Sequence, residues 1–222
     1  MEKTYRIADR NIRVRSIWED VHRLCREYEL TGVPDFCVRT EQKDIDAERA
    51  AVAETGMTDG QTVTAWSDAY LETLAVYRQI AEKMTDYDTL LFHGSAIAVD
   101  GQGYLFTAPS GTGKSTHARL WRELLGDRAV MVNDDKPLLR VTESGVMLYG
   151  TPWNGKHRLG SNIAVPLRAV CELARAEENS IAEISAREAV PTLLRQCYRP
   201  SDPAAMRKTL ALLDCSMKPF YR

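Results

Sequence analysis

Tyr104-Leu105-Phe106-Thr107-Ala108-Pro109-Ser110-Gly111-Thr112-Gly113-Lys114-Ser115-Thr116 is an apolar, strand-forming run that breaks into a glycine loop and ends on a lysine and two hydroxyls. Glycines let successive backbone N–H groups turn inward onto phosphate oxygens. The lysine carries charge to the β- and γ-phosphates, and the serine hydroxyl can ligate Mg²⁺. The pattern G-x-x-x-x-G-K-[ST] is complete except at its first position, where Ala108 stands. Leu120, Trp121, Leu124 and Leu125 follow at helical spacing, with Gly126 placed as a C-cap. Strand, loop and helix N-terminus together form the anion site this motif requires. An ordinary Gly-Ser-Thr connection is the competing reading, and the complete context weighs against it.

The flanking sequence sets the fold class. Thr89-Leu90-Leu91-Phe92-His93-Gly94-Ser95-Ala96-Ile97-Ala98-Val99 reads as one long apolar strand, and Asp100-Gly101-Gln102-Gly103 as a tight turn. A hairpin therefore feeds the loop strand, where a simple parallel α/β domain would place a helical crossover. The expected fold is α/β with a mixed sheet. Downstream, Ala129–Val132 is a short buried strand, and two more strands flank Glu143-Ser144-Gly145, ending near Tyr149. Leu167–Leu173 is a core strand. Ser185 and Glu188 form a capping box, with Pro191 expected to kink or restart that helix. Pro203 opens a final helix through about Leu213.

Residues 1–88 read as an N-terminal α+β segment packed on a catalytic core of residues 89–222. Tyr5–Ala8 and Ile12–Val14 make a hairpin. Ser16 and Glu19 suggest a capping box opening a helix with Ile17, Val21, Leu24 and Tyr28 on one face. Phe36–Thr40 is a strand. Glu41–Gln61 is polar without a clear period and is expected to be irregular, whereas Asp68–Met84 is an amphipathic helix.

With 44% hydrophobic residues, 222 residues suffice to bury a sizeable core. The net charge of −2 gives no basic excess suited to nucleic acid or a membrane surface. No segment approaches the ~20 apolar residues of a membrane span. Five widely spaced cysteines, none at zinc-type spacing, read as reduced thiols and point to the cytoplasm. No oligomer is specified.

Asp134-Asp135 lies about twenty residues after Lys114, the span of one strand–loop–helix–strand unit. The pair should emerge beside the loop, one carboxylate for Mg²⁺ and one to accept a hydroxyl proton. A solvated Asp-Asp turn is the alternative. His93 reads by composition as a core histidine, but the hairpin can bring one end of its strand near the phosphates.

Taken in order, His93-Gly94, the turn Asp100–Gly103, Ser110–Ser115 and Asn133-Asp134-Asp135 resemble the catalytic domain of HPr kinase/phosphorylase. That family's fold is similar to the nucleotide-binding core of phosphoenolpyruvate carboxykinase. The resemblance covers about Leu90 to Tyr149. It implies that Ser110, Gly111, Thr112, Gly113, Lys114, Ser115 and Thr116 bind ATP, and that Ser115 and Asp134 hold Mg²⁺. Asp135 becomes the base toward the acceptor hydroxyl, with His93 alongside.

The family's Glu-x-Arg-Gly-Leu-Gly segment is absent. Gly150-Thr151-Pro152-Trp153-Asn154-Gly155-Lys156 stands in its place and is similar to a loop in HPr-kinase-like proteins of peptide-modification systems. Trp153 either plugs the core under a turn or lines a substrate pocket. Lys156 and Arg158 either contact phosphate or are surface charges. Arg195 and Arg199 are weaker candidates. The expected function is Mg-ATP-dependent phosphoryl transfer to a hydroxyl, on Ser or Thr of a peptide or small protein. A small hydroxylated metabolite is the enzymatic rival, and a non-catalytic nucleotide-binding module is the rival of another class.

Overall fold

The structure is a computed structural model that describes residues 1–58, 66–155 and 158–217. The chain divides into two compact units, Met1–Lys83 and Met84–Arg222.

In the first unit, β1 (Glu2–Ile7) and β2 (Arg10–Arg15) form the expected hairpin, with Ala8 and Asp9 both at positive φ in the turn. The short β3 (Glu29–Leu30) pairs with β1, and β4 (Phe36–Arg39) lies parallel to β2. Alternate residues Tyr5, Ile7, Ile12 and Val14 are buried.

The helix expected from Ser16 is only one turn, α1 (Asp20–Leu24), followed by a 3₁₀ turn at Arg26–Tyr28. The Ser16–Glu19 capping box does not form. Ser16 Oγ instead donates to the Trp18 carbonyl (2.7 Å) and meets His22 Nε2 (3.0 Å), whose other ring nitrogen meets the Tyr5 hydroxyl. This local bonding competes with helix formation.

The segment expected to be irregular holds a helix, α2 (Gln42–Thr58), while positions 59–61 lie outside the described residues. Its Ala-rich sequence favours helix intrinsically, but among its described side chains only Ile45 and Glu48 are buried, so no apolar stripe marks it. The expected helix α3 (Asp68–Met84) carries Glu72, fully buried, whose carboxylate accepts from Ile17 N–H, Trp18 N–H and Thr40 Oγ1.

The second unit holds a mixed seven-stranded sheet. Its strands are β5 (Thr89–Leu91), β6 (Ser95–Val99), β7 (Gln102–Thr107), β8 (Ala129–Asn133), β9 (Leu138–Thr142), β10 (Gly145–Tyr149) and β11 (Ala164–Glu172), in the order β5-β9-β10-β11-β7-β6-β8. The hairpin expected before the loop is β6–β7, and β11 runs parallel to β7.

The single strand expected over Thr89–Val99 is two strands. β5 pairs with β9, whereas β6 pairs with β7 and β8, so the chain crosses between halves of the sheet at His93-Gly94. A Cβ on Gly94 would lie 2.8 Å from Leu105 Cδ1 and 2.9 Å from the Phe106 carbonyl oxygen. Only glycine fits that crossing. β11 joins the halves, pairing through Ala164–Pro166 with β10 and through Leu167–Glu172 with β7.

Alternation along these strands makes two cores. Ala96, Ala98, Leu105 and Val132 pack with Leu139, Val146 and Leu148. Ile97, Phe106 and Met131 face Ala118 of α4 (Lys114–Leu125), the helix that follows the loop and ends at Gly126. α5 (Ala186–Gln196) begins at the Ser185–Glu188 box and runs through Pro191 without breaking. Its capped first turn and the packing of Leu193 and Leu194 on the core offset the bond lost at proline. α6 (Pro203–Met217) extends beyond the expected end.

Candidate functional site

Strand directions gather the predicted residues. β7 ends at Thr107, the antiparallel β6 begins beside it at Ser95, β8 ends beside Ala96 at Asn133, and β11 ends beside Thr107 at Glu172. The Gly-rich loop, His93, the acidic pair and the segment after β11 therefore leave the sheet at one end.

The loop turns through Gly111 (φ 77°) and Gly113 (φ 120°), conformations that favour glycine. A Cβ at either would meet nothing within 4 Å, so torsion rather than crowding selects glycine there. Lys114 and Ser115 open α4, and the first bond of its ladder runs from His117 N–H to the Gly113 carbonyl (2.9 Å). Amides ahead of that bond have no intrahelical acceptor, and the helix dipole adds partial positive charge. Lys114 Nζ donates to the Ala108 carbonyl at 2.9 Å. Across the site, Arg175 donates to the Gly111 carbonyl at 2.8 Å.

The acidic pair is held by an Asn turn. Asn133 Oδ1 accepts from the N–H groups of Asp135 (2.8 Å) and Lys136 (2.6 Å), and its amide nitrogen donates to Thr151 and to the Trp153 carbonyl. This turn divides the two aspartates. Asp134 is only 7% exposed, and its carboxylate accepts from Gly155 N–H. Asp135 is more open and lies 3.4 Å from His93 Nε2 and 3.5 Å from Lys136 Nζ. On its other side, His93 Nδ1 is 2.8 Å from Gln196 Oε1.

His93 itself is gripped from both flanks: its N–H donates to the Gln196 carbonyl, and the next residue, Gly94, donates to the Asp135 carbonyl. Burial lowers the His93 pKa, helped by the charges of Lys136 and Lys114 and opposed by Asp135 and the Gln196 bond. Burial likewise lowers Lys114, with Asp135 opposing and Lys136 adding to the shift. His93, Lys114, Asp135 and Lys136 thus form one electrostatic cluster.

Trp153 is 7% exposed, packed beneath its loop with its carbonyl bonded to Asn133. Lys156 lies outside the described residues. Arg158 is exposed and adopts φ 48°, a left-handed conformation unusual for arginine. Arg195 reaches the Thr192 hydroxyl, which donates to Glu172. Lys136, Arg175 and Gln196 were not singled out from sequence. Lys136 adjoins the acidic pair and could have been; the other two are brought in by β11 and α5, from 64 and 103 residues away.

Ser115 and Asp134 offer hard oxygen donors of the kind Mg²⁺ takes when phosphates and water complete its shell. Among the described residues no group of three or more His, Cys, Asp and Glu side chains forms a metal cage.

The fold and site define a mixed-sheet α/β protein whose glycine loop and helix N-terminus face a histidine and an acidic pair. The chain belongs to the ScmC family: residues 61–199, more than half its length, match the family described as SynChlorMet cassette protein ScmC. The match includes every site residue named above, from His93 to Gln196. No curated protein matches the sequence. Among the described residues, no helix is long and apolar enough to cross a membrane.

Proposed function

We propose that the protein is an Mg-ATP-dependent kinase that transfers the γ-phosphate to a hydroxyl, on a serine or threonine of a peptide or small protein. The observation that carries this reading is the His93–Asp135 contact at the strand end that also presents the glycine loop and Lys114. A phosphate cradle beside a carboxylate suits in-line transfer to an alcohol, and the His93 ring fixes that carboxylate in place.

The loop amides and Lys114 hold the triphosphate. Ser115 and Asp134 are the residues that would hold Mg²⁺, which supplies neutralisation of charge on the β- and γ-oxygens. Asp135 accepts the hydroxyl proton as the acceptor oxygen bonds to the γ-phosphorus. The bond from that phosphorus to the β–γ bridging oxygen breaks, and ADP leaves with the electron pair. The neutral His93 ring orients Asp135. The family's description as a cassette protein fits an acceptor made by the same cassette.

The test is transfer of labelled γ-phosphate to candidate peptides, with Lys114→Ala in parallel. The wild-type protein should label an acceptor, while the variant loses transfer and binds ATP weakly, its fold intact. Near-wild-type transfer by Lys114→Ala would refute the loop assignment. ATP binding without transfer to any hydroxyl or to water would favour a nucleotide-binding module.

A further inference from the structure

Lys136 is a cation at this site that the nucleotide-loop motif does not account for. Its backbone is fixed at both ends: its N–H donates to Asn133 Oδ1 at 2.6 Å, and its carbonyl accepts from Thr151 Oγ1 at 2.7 Å. Pro137 follows and disfavours a helical conformation at Lys136. The side chain is 24% exposed and reaches Asp135 Oδ1 at 3.5 Å.

Asp135 also lies within electrostatic range of Lys114. Lys136 and Lys114 therefore flank the same carboxylate, Asp135. A surface ion pair needs no such fixed backbone and contributes little. A lysine side chain only 24% exposed, beside a carboxylate that a second lysine also flanks, is instead arranged for an anion that arrives between the two lysines.

We propose that Lys136 is a second phosphate-binding lysine, contacting the γ-phosphoryl group as it passes from nucleotide to acceptor. This rests on the kinase reading and adds a residue to it. Lys114, at the helix start, serves the whole polyphosphate. Lys136, beside the base, meets only the group being transferred. Its loss should therefore discriminate between nucleotides with and without a γ-phosphate.

The experiment is calorimetric titration of full-length protein with ADP and with a non-hydrolysable ATP analogue, both with Mg²⁺, for wild type, Lys136→Gln and Lys136→Arg. In Lys136→Gln the analogue should bind about tenfold more weakly, the usual weight of one charge-assisted hydrogen bond. ADP affinity should stay within about twofold, and Lys136→Arg should recover most of the loss. Thermal melts of both variants check folding, and Lys136→Met, which keeps the aliphatic stem without the charge, replaces the glutamine variant if that one is unstable. Unchanged affinity for the analogue, or equal losses for analogue and ADP, would overturn the assignment while leaving the kinase reading standing. Wild-type protein that binds neither nucleotide would remove both.

Discussion

His93 Nε2 stands 3.4 Å from Asp135 Oδ1, while Nδ1 of the same ring stands 2.8 Å from the Gln196 side chain. Because the ring's pKa is lowered, it is neutral near pH 7 and carries one N–H. Beside a carboxylate the favourable tautomer places that hydrogen on Nε2. Nδ1 then accepts from the Gln196 amide nitrogen, which a flip of the amide brings into position. Asp135 thereby selects the tautomer, and Gln196, whose amide can present either atom, accommodates it.

His93→Ala should lower kcat by roughly ten- to a hundredfold, and Gln196→Leu by a smaller factor, as expected for weakened acid–base catalysis. ATP affinity should move only a few-fold in either. Steady-state kinetics beside ATP titration reads both quantities. Wild-type kcat in both variants would show that the ring is only a core histidine.

The aspartates should separate by mutation. Asp135→Asn should keep nucleotide affinity and lose about a hundredfold or more in transfer. Asp134→Asn keeps an oxygen for Gly155 N–H, so the loop survives, but half-saturation in Mg²⁺ should rise. A Cβ on Gly155 would lie 2.9 Å from Asp134 Oδ2 and 3.1 Å from its Cγ. Gly155→Ala should therefore copy the Mg²⁺ defect by displacing the Asp134 carboxylate while leaving its charge unchanged. Magnesium titrations of the three variants check this, and equal mild effects everywhere would reduce the acidic pair to a turn.

Trp153 is assigned to stability. At 7% exposure it packs under the loop, and its carbonyl helps to hold the Asn133 side chain that shapes the acidic turn. Trp153→Ala should cost about 3–5 kcal/mol, the scale of large-to-small core changes, visible in the urea midpoint. Arg158 is exposed on the same loop, so Arg158→Ala should raise acceptor KM with little effect on stability or ATP binding. An unaltered midpoint for Trp153→Ala would return that residue to the pocket reading.

Much of this geometry was legible in the sequence. Gly111, Gly113 and Lys114 announce their loop by spacing, and the turn Asp100–Gly103 announces the hairpin that makes the sheet mixed. The break at His93-Gly94 was hidden because both flanks are equally apolar and the change of partner strand is a tertiary event. Helix α2 was hidden because propensity without an apolar stripe leaves no periodic signal. Gln196 was hidden because its role depends on where α5 ends, and its backbone bond to His93 spans 103 residues. Conversely, Ser16 and Glu19 carried a helix signal that the bonds to Trp18 and His22 divert.

His117 provides a prediction independent of any catalytic role. Its ring meets Phe106 edge-on at 4.6 Å, and its Nε2 accepts the Trp121 indole N–H at 3.0 Å. Burial lowers its pKa from the ordinary 6.5. Between that lowered value and 6.5 the unfolded chain binds a proton that the folded chain does not, so stability rises with pH across the interval. The contribution is complete above the ordinary histidine value and declines as pH falls through it, because the unfolded chain takes up the proton first; only at the lowered folded value does Nε2 protonate and the Trp121 bond break. His22 and His93, also lowered by burial, act in the same direction. The urea midpoint should therefore fall between pH 7.5 and pH 5.5. His117→Gln offers Trp121 an oxygen but cannot titrate, so its midpoint should vary less steeply while the other histidines leave a residual slope. Midpoints at four or five pH values for both proteins decide the matter. Parallel curves would mean that the His117 ring is protonated in the folded state as readily as in the unfolded chain.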